Sequence, residues 1–411
     1  MTDYYETKAH PITKRMVWEA YKEIRSNGKA AGIDGINLAD YAKDLQHNLY
    51  KLWNRMTSGS YFPSSIREKQ IPKSGGGTRG LGISTVEDRI AQQVVKKHLE
   101  HRIDPTFHES SYGYRPQRNP HQAIRKATSN CIKYSWVLDL DIKAFFDSVD
   151  HHLLMKAVRR YTEEKGVLLY IERWLKVRIL KEDGIEVARN EGTPQGSVLS
   201  PLLSNLFMHF VFDKWMEKHY PTIPFERFCD DVIVHCRSEK QALYLKSKVA
   251  NRLRDCNLTL NEQKTKIVFC KNPNNKGVKG YEHESFDFLG FSYQPMQVPT
   301  KNGILLLTLP TMSRKSKKSV MEKIRKMAIY NQRGRIQELA SKINERTRGW
   351  INYYGAFNKN GTTQIWYRLN RILIKWIMKV RKWNFRRSLK WLKGVHKTRP
   401  RLFVHWEIAH P

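Results

Sequence analysis

The stretch FCDDVIVHC, residues 228–236, sets two adjacent carboxylates inside an apolar run of strand formers. Strand interiors seldom carry Asp, whose side chain competes for backbone hydrogen bonds, and neighbouring like charges repel. Arg227-Phe228-Cys229 precede the pair and Val232-Ile233-Val234 follow it, so the pattern predicts strand, tight turn, strand, with Asp230 and Asp231 at the hairpin. A second strand-like run, VLDLD, ends in Asp139 and Asp141. A sheet can bring such strand ends side by side, and carboxylates gathered there are costly unless a cation neutralises them. Hard divalent ions with oxygen ligands do this, and two Mg²⁺ can activate a hydroxyl and stabilise a leaving pyrophosphate. Most Asp-Asp pairs are solvated turns; the flanking strands and the second acidic strand end set this one apart.

The rest of the chain is α+β. Apolar residues at helical spacing mark helices over 14–26 and 39–58, with the Gly-rich turn AAGIDG between them. IREKQIPKSGGGTRGLGI, 66–83, reads as strand, glycine loop and strand, and a capping box from Ser84 to Glu87 opens a helix to about residue 103. A helix follows Asp150, another covers 163–178, and 179–190 forms a hairpin. EGTPQGSVLSPLLSNLFMHFVFDKWM is a tight turn leading into a long apolar helix, and a further helix covers 238–257. Strands alternating with helices and hairpins predict a mainly antiparallel sheet. Beyond about residue 310 the pattern becomes helical, at 315–330, 335–346 and 363–383, and ends in a basic, aromatic tail.

Charge narrows the partner. The 411 residues carry 73 Lys+Arg against 39 Asp+Glu, a formal net charge of +34, which calls for a polyanion. From Ser313 onward the acids are Glu322, Glu338, Glu345 and Glu407 alone, so phosphate contacts with counterion release explain this region better than a solvated face does. Of its aromatics, those in phase with Leu and Ile pack a core and others are available to stack on RNA bases. No apolar run reaches the roughly 20 residues that span a bilayer, and MTDYYETKAHPITKR lacks the apolar core of a secretory signal, so neither a membrane nor export is expected. The five cysteines are scattered without a CxxC pair, as in a cytosolic protein with reduced thiols.

In order along the chain, DIKAFF (141–146), TPQGSVLSPLLSN (193–205), FCDD (228–231) and FLGF (288–291) resemble the palm motifs of reverse transcriptases. IPKSGGGTRGLGI resembles their fingers motif. AAGIDG, the QGxxxSP turn and RGWINYYG (348–355) are similar to those of group II intron reverse transcriptases, which are also maturases. The resemblance implies a right-hand polymerase: fingers over 1–135, an antiparallel-sheet palm over 136–309, a helical thumb or domain X over 310–384, then the basic tail, 385–411. It implies RNA-directed DNA synthesis with two Mg²⁺, Mn²⁺ able to substitute, held by Asp141, Asp230 and Asp231. Asp139 is then structural, because an aromatic follows Asp141, not Asp139, at the fifth position.

By the same resemblance Phe146 is the gate against a ribose 2′-hydroxyl, and Gln195 and Gly196 form the turn beside the template–nascent base pair. Lys73 and Arg79 hold the incoming triphosphate, and Lys264 protonates pyrophosphate. Phe228 lies near the primer, and Leu289-Gly290 is the primer grip. The family usually has Tyr-Ala-Asp-Asp where this chain has Phe228-Cys229-Asp230-Asp231, which removes a phenol but no carboxylate. Ser197 stands where many members have a second Gly. Expected partners are an RNA template, in particular group II intron RNA, a DNA or RNA primer, dNTPs and a DNA target, with no membrane. The expected place is the cytoplasm, at the nucleoid when DNA is bound. No HNH-like cluster follows domain X, so no nuclease is expected; oligomeric state is left open. Two other readings stand: a domesticated enzyme of DNA repair or phage defence, and a non-catalytic RNA chaperone for splicing.

Overall fold

The structure, a computed structural model, describes residues 10–27, 30–72, 77–275, 280–301 and 303–411. Packing divides the chain into two units, Met1–Ala123 with Leu138–Ile267, and Ile124–Val137 with Val268–Pro411. This division differs from the breaks expected near 135 and 309: the strands after residue 285 pack with the helical end of the chain.

In the first unit, β1 (Ile66–Pro72) and β2 (Thr78–Ile83) form an antiparallel hairpin in register from Arg67↔Ile83 to Pro72↔Thr78. The short strands β4 (Ile179–Leu180) and β5 (Glu186–Val187) extend that sheet in the order β2-β1-β4-β5. The helix Val86–Ile103 follows β2, and its cap lies one residue beyond the expected box. Thr85 accepts from the Asp88 amide and donates its hydroxyl to the Asp88 carboxylate at 2.8 Å. Asp88 is recruited because it is a buried hub, also bound by the Tyr61 hydroxyl and the Ser64 amide. Glu87 and Asp88 in the first turn and His101 and Arg102 in the last suit the helix dipole.

A second four-stranded sheet has the order β6-β7-β3-β8, from β3 (Trp136–Leu140), β6 (Phe225–Phe228), β7 (Asp231–Cys236) and β8 (Lys266–Phe269). β6 and β7 pair antiparallel from Phe225↔Val234 to Phe228↔Asp231. Asp150 caps the helix His151–Val158, accepting from the Leu153 amide. The long apolar helix is not uniform: Ser200–Met208 passes through a π-turn, His209–Asp213, into Lys214–His219. Such single π-turns recur at functional sites.

In the second unit β9 (Phe286–Phe288), β10 (Phe291–Thr300) and β11 (Gly303–Met312) form an antiparallel meander. Four helices follow, Arg314–Lys326, Ile336–Tyr354, Thr363–Arg381 and Phe385–Thr398. Their core gathers Leu369, Leu373, Trp366 and Trp376 with Ile343 and Leu392, all buried. Each such side chain contributes about 1.5–3 kcal/mol on leaving water. The basic end of the chain is folded into this core: Phe403 and Trp406 are buried, and Asn370 donates to the Ala409 carbonyl at 3.0 Å. No described helix is long and apolar enough to cross a membrane.

Candidate functional site

β6 and β7 are joined by two residues, Cys229 and Asp230, so the acidic pair straddles the turn and the start of β7. Cys229 takes φ +62°, a left-handed conformation that a residue with a Cβ rarely adopts. Something must hold it there, and a buried guanidinium does. Arg227, fully buried, donates from Nη1 to the Cys229 carbonyl at 3.0 Å and to Asn205 Oδ1 at 3.0 Å. Nε and Nη2 form a fork on the Asp213 carboxylate at 2.7 and 2.5 Å, and Nη2 also reaches Ser111 Oγ at 2.8 Å. Burial pushes the Asp213 carboxyl up, but the Arg227 and His209 beside it outweigh burial and hold it below the usual carboxylate range. Asp213 closes the π-turn, which ties that irregularity directly to the hairpin.

The first acid is fixed from a different side. Asp141 follows β3, its amide donates to Thr265 Oγ1 at 3.2 Å, and its carbonyl accepts from the Asn261 amide at 2.8 Å. That loop therefore carries Lys264 to Asp141, with Nζ 3.9 Å from Oδ2. Both side chains are substantially exposed, so the pair contributes little to stability. Burial raises the Asp230 carboxyl above its ordinary range, and the nearby charge of Asp141 raises it further. Asp231 is exposed, and Asp139 is half-buried within β3.

The other expected residues of this unit are fastened to one another and to β2. After Asp141 the chain turns through Ala144 at φ +46° into Phe145–Asp147, where Phe146 is half-buried against Phe145. The Phe146 carbonyl accepts from the Thr193 amide at 2.6 Å, which fastens it to the turn before Gln195 and Gly196. Gly196 has φ +101°, and a Cβ there would lie 2.5 Å from the Gly82 carbonyl oxygen, so only glycine fits. The Gln195 carbonyl accepts from the Gly82 amide of β2 at 2.7 Å. Ser197, the departure from a second glycine, is buried and donates to Gln92 Oε1 at 2.8 Å. Arg79 is exposed on β2, and Lys73 falls outside the described residues.

Among the described residues no three His, Cys, Asp or Glu side chains are gathered closely enough to hold an ion unaided. The acids fit Mg²⁺ in its usual manner, through one or two carboxylates with substrate oxygens and water completing the shell. A raised Asp230 beside Asp141 is a like-charge pair that a cation relieves.

In the second unit the turn Leu289-Gly290 joins β9 to β10, with φ +51° and +80°. Tyr353 donates its hydroxyl to the Leu289 carbonyl at 2.9 Å, and the Gly290 carbonyl accepts from the Ser316 hydroxyl at 2.8 Å and the Ser313 amide at 3.1 Å. Trp366 and Trp376 pack the core, whereas Tyr367 is exposed. A groove lined by Arg314, Lys317, Lys318, Arg325 and Arg368, with Glu322 as its acid, gives the helical region a strongly basic face. Trp383 lies between Arg381 and Arg387, at 4.7 and 4.5 Å from its ring.

Sequence reasoning passed over Arg227 and Asp213, reading the first as a strand former and the second as part of a plain helix. An Arg in an apolar strand against an acidic pair was the available signal. Tyr114, whose phenol lies near Asp230, was not singled out at all.

A polymerase palm is what this arrangement defines: an acidic hairpin, a first Asp just past the end of the neighbouring strand β3, and a glycine turn against the β1–β2 hairpin. Residues 71–293, more than half of the chain, match the family described as reverse transcriptase (RNA-dependent DNA polymerase), and the chain belongs to that family. Residues 317–401 match the group II intron, maturase-specific domain. Protein YkfC of Escherichia coli is 37% identical over 194 residues, covering 46% of this chain and 50% of that protein. The group II intron-encoded protein LtrA of Lactococcus lactis is 33% identical over 192 residues, 46% of this chain and 32% of that one. A putative COX1/OXI3 intron 1 protein of Saccharomyces cerevisiae is 30% identical over 187 residues, 46% of this chain and 21% of its own length. The matched region thus spans half or less of each of these relatives.

Proposed function

We propose that the chain copies RNA into cDNA as an RNA-directed DNA polymerase of the group II intron type, and that it assists intron splicing and mobility as a maturase. The observation that supports this reading is Asp141 lying within reach of both Lys264 and Asp230 of the acidic hairpin, with Asp231 next in the chain. Asp141, Asp230 and Asp231 would hold Mg²⁺, for which Mn²⁺ can substitute, with substrate oxygens and water completing the shells. The chemistry supplied there would be a lowered pKa at a primer 3′-hydroxyl and neutralised charge on the triphosphate.

The remaining roles fall to the chain's own side chains. Lys73 and Arg79 bind the triphosphate as cations, Arg79 from the exposed end of β2. Lys264 Nζ, held by its loop at Asp141, gives a proton to the departing pyrophosphate. Phe146 excludes a ribose 2′-hydroxyl by bulk, and the Gln195-Gly196 turn supports the template–nascent base pair. Phe228 and the Leu289-Gly290 turn position the primer. The basic helical region grips the template–primer duplex and intron RNA. Partners are then an RNA template, a DNA or RNA primer, dNTPs and a DNA target, met in the cytoplasm or at the nucleoid.

Primer extension on poly(rA)/oligo(dT) with Mg²⁺ tests the reading. Wild type is expected to incorporate dTTP and Asp230→Ala to lose at least about 10³-fold in rate, with RNA binding intact. Equal inactivity of both, with RNA binding retained, leaves an RNA chaperone in place of a polymerase.

A further inference from the structure

Tyr114 is delivered to the acidic hairpin by a dedicated backbone path. Ser111 bridges to Arg227 in parallel, the Arg227 amide donates to the Ser110 carbonyl at 2.9 Å, and the Tyr112 amide donates to the Arg227 carbonyl at 2.8 Å. The segment thus runs beside β6 toward the turn. Gly113 then lies flat against it: a Cβ on Gly113 would be 2.6 Å from the Cys229 nitrogen and 2.9 Å from the Phe228 carbonyl carbon. The Asn205 side-chain amide holds the Gly113 carbonyl at 2.5 Å. Tyr114 follows at φ +52°, a conformation that costs a residue with a Cβ of order 1 kcal/mol.

Its ring packs at 6.0 Å from that of Phe228, yet 55% of Tyr114 is exposed. A side chain placed at such cost and left largely open to solvent is not there to fill a core. Its phenol lies near Cys229, Asp230, Asp231 and Arg79. A tyrosine hydroxyl carries its proton at neutral pH and can donate it to an oxygen acceptor. Its neighbours are the acids that take the primer end and the cation that takes the triphosphate.

We propose that Tyr114 is a nucleotide-binding residue, whose hydroxyl donates to an oxygen of the incoming deoxynucleoside triphosphate. The inference rests on the polymerase reading above. The Phe228 and Tyr114 rings are neighbours, tilted by 51° at 6.0 Å, so a hydroxyl added to Phe228 is expected beside the Tyr114 ring.

Steady-state primer extension on Tyr114→Phe and on Tyr114→Phe/Phe228→Tyr tests it. A neutral hydrogen bond implies a rise of about five- to tenfold in KM for dNTP in the single variant, with kcat within about twofold. The affinity for primer–template and the melting temperature are expected to stay at wild-type values, and the double variant to recover most of the KM. An unchanged KM overturns the proposal. So does a loss of primer affinity at unchanged KM, which would give the hydroxyl to the primer, or a lowered melting temperature, which would make it structural. If wild type extends no primer at all, the polymerase reading fails separately. Equilibrium binding of a fluorescent dNTP to wild type and Tyr114→Phe then still reads the contact, and equal affinities overturn it.

Discussion

The turn at Cys229-Asp230 and the turn at Leu289-Gly290 are built alike and held differently. Each joins antiparallel strands through two residues, and each sets a residue with a Cβ at positive φ, +62° at Cys229 and +51° at Leu289. The first is fastened by a buried ion pair, with Arg227 joining the Cys229 carbonyl to Asp213. The second is fastened by neutral groups, the hydroxyls of Tyr353 and Ser316 and the amide of Ser313. A charge-assisted fork fixes direction more tightly than a neutral hydroxyl, and it is costlier to break by half. The tighter device stands at the turn proposed to meet metal ions, the looser one at the turn proposed to meet the primer.

Removing one charge is the most direct way to break this comparison. Arg227→Met leaves Asp213 buried with only His209 beside it, 3.7 Å away, at a cost of about 3–5 kcal/mol in urea unfolding of the first unit. Asp213→Leu added to it removes the orphaned charge and is expected to restore most of that stability. Primer extension stays lost in the double variant, because the Cys229 carbonyl still has no donor from residue 227. Recovery of both stability and activity would show that the ion pair has no part in holding the turn.

Acid separates the two units next. Buried His405 keeps its proton off until about pH 3, because burial disfavours the imidazolium, while an unfolded histidine titrates near 6.5. Its folded value is depressed, so between those limits the unfolded chain binds the extra proton and the second unit loses stability as pH falls. The loss reaches about 2 kcal/mol by pH 5. Asp213 is also depressed, but from a carboxylate value, so its contribution is complete at pH 5 and declines only below about pH 4. Hydrogen exchange at pH 7 and pH 5 is expected to show weakened protection in the helices around His405, and His405→Asn is expected to flatten that dependence. An equal change in both units would remove the distinction.

The sequence carried these features unequally. The acidic hairpin was legible because strand and turn chemistry are local: Val232-Ile233-Val234 must be a strand and Asp is a turn former. The role of Arg227 was not, since its partners Ser111, Asn205 and Asp213 lie 116, 22 and 14 residues away and meet only in the fold. The helix cap moved from Ser84 to Thr85 for a similar reason, as Asp88 answers to Tyr61 rather than to local capping alone. Residues 385–411 read as a tail because Arg and Lys mask the apolar stripe of Leu392, Phe403 and Trp406, each of which packs only when the other helices are present. The Leu289-Gly290 turn was legible from its glycine, but nothing in FLGF names Tyr353 as its anchor. Tyr114 had no signal beyond an exposed aromatic before a proline-containing turn; its meaning lies in Phe228, which is distant in sequence.

The smallest expected effect sharpens the comparison from the neutral side. Ser316→Ala removes one of two donors to the Gly290 carbonyl, and the Ser313 amide remains at 3.1 Å. Because the acceptor is not orphaned, the stability loss is expected to be about 0.5–1 kcal/mol, well below that of Arg227→Met. The loss should not raise KM for dNTP, since this turn is assigned to the primer; it should instead weaken primer–template binding by about two- to fivefold. A stability loss as large as that at Arg227 would mean that hydroxyl fastening is as rigid as the buried fork, and the contrast between the two turns would then reside in chemistry alone.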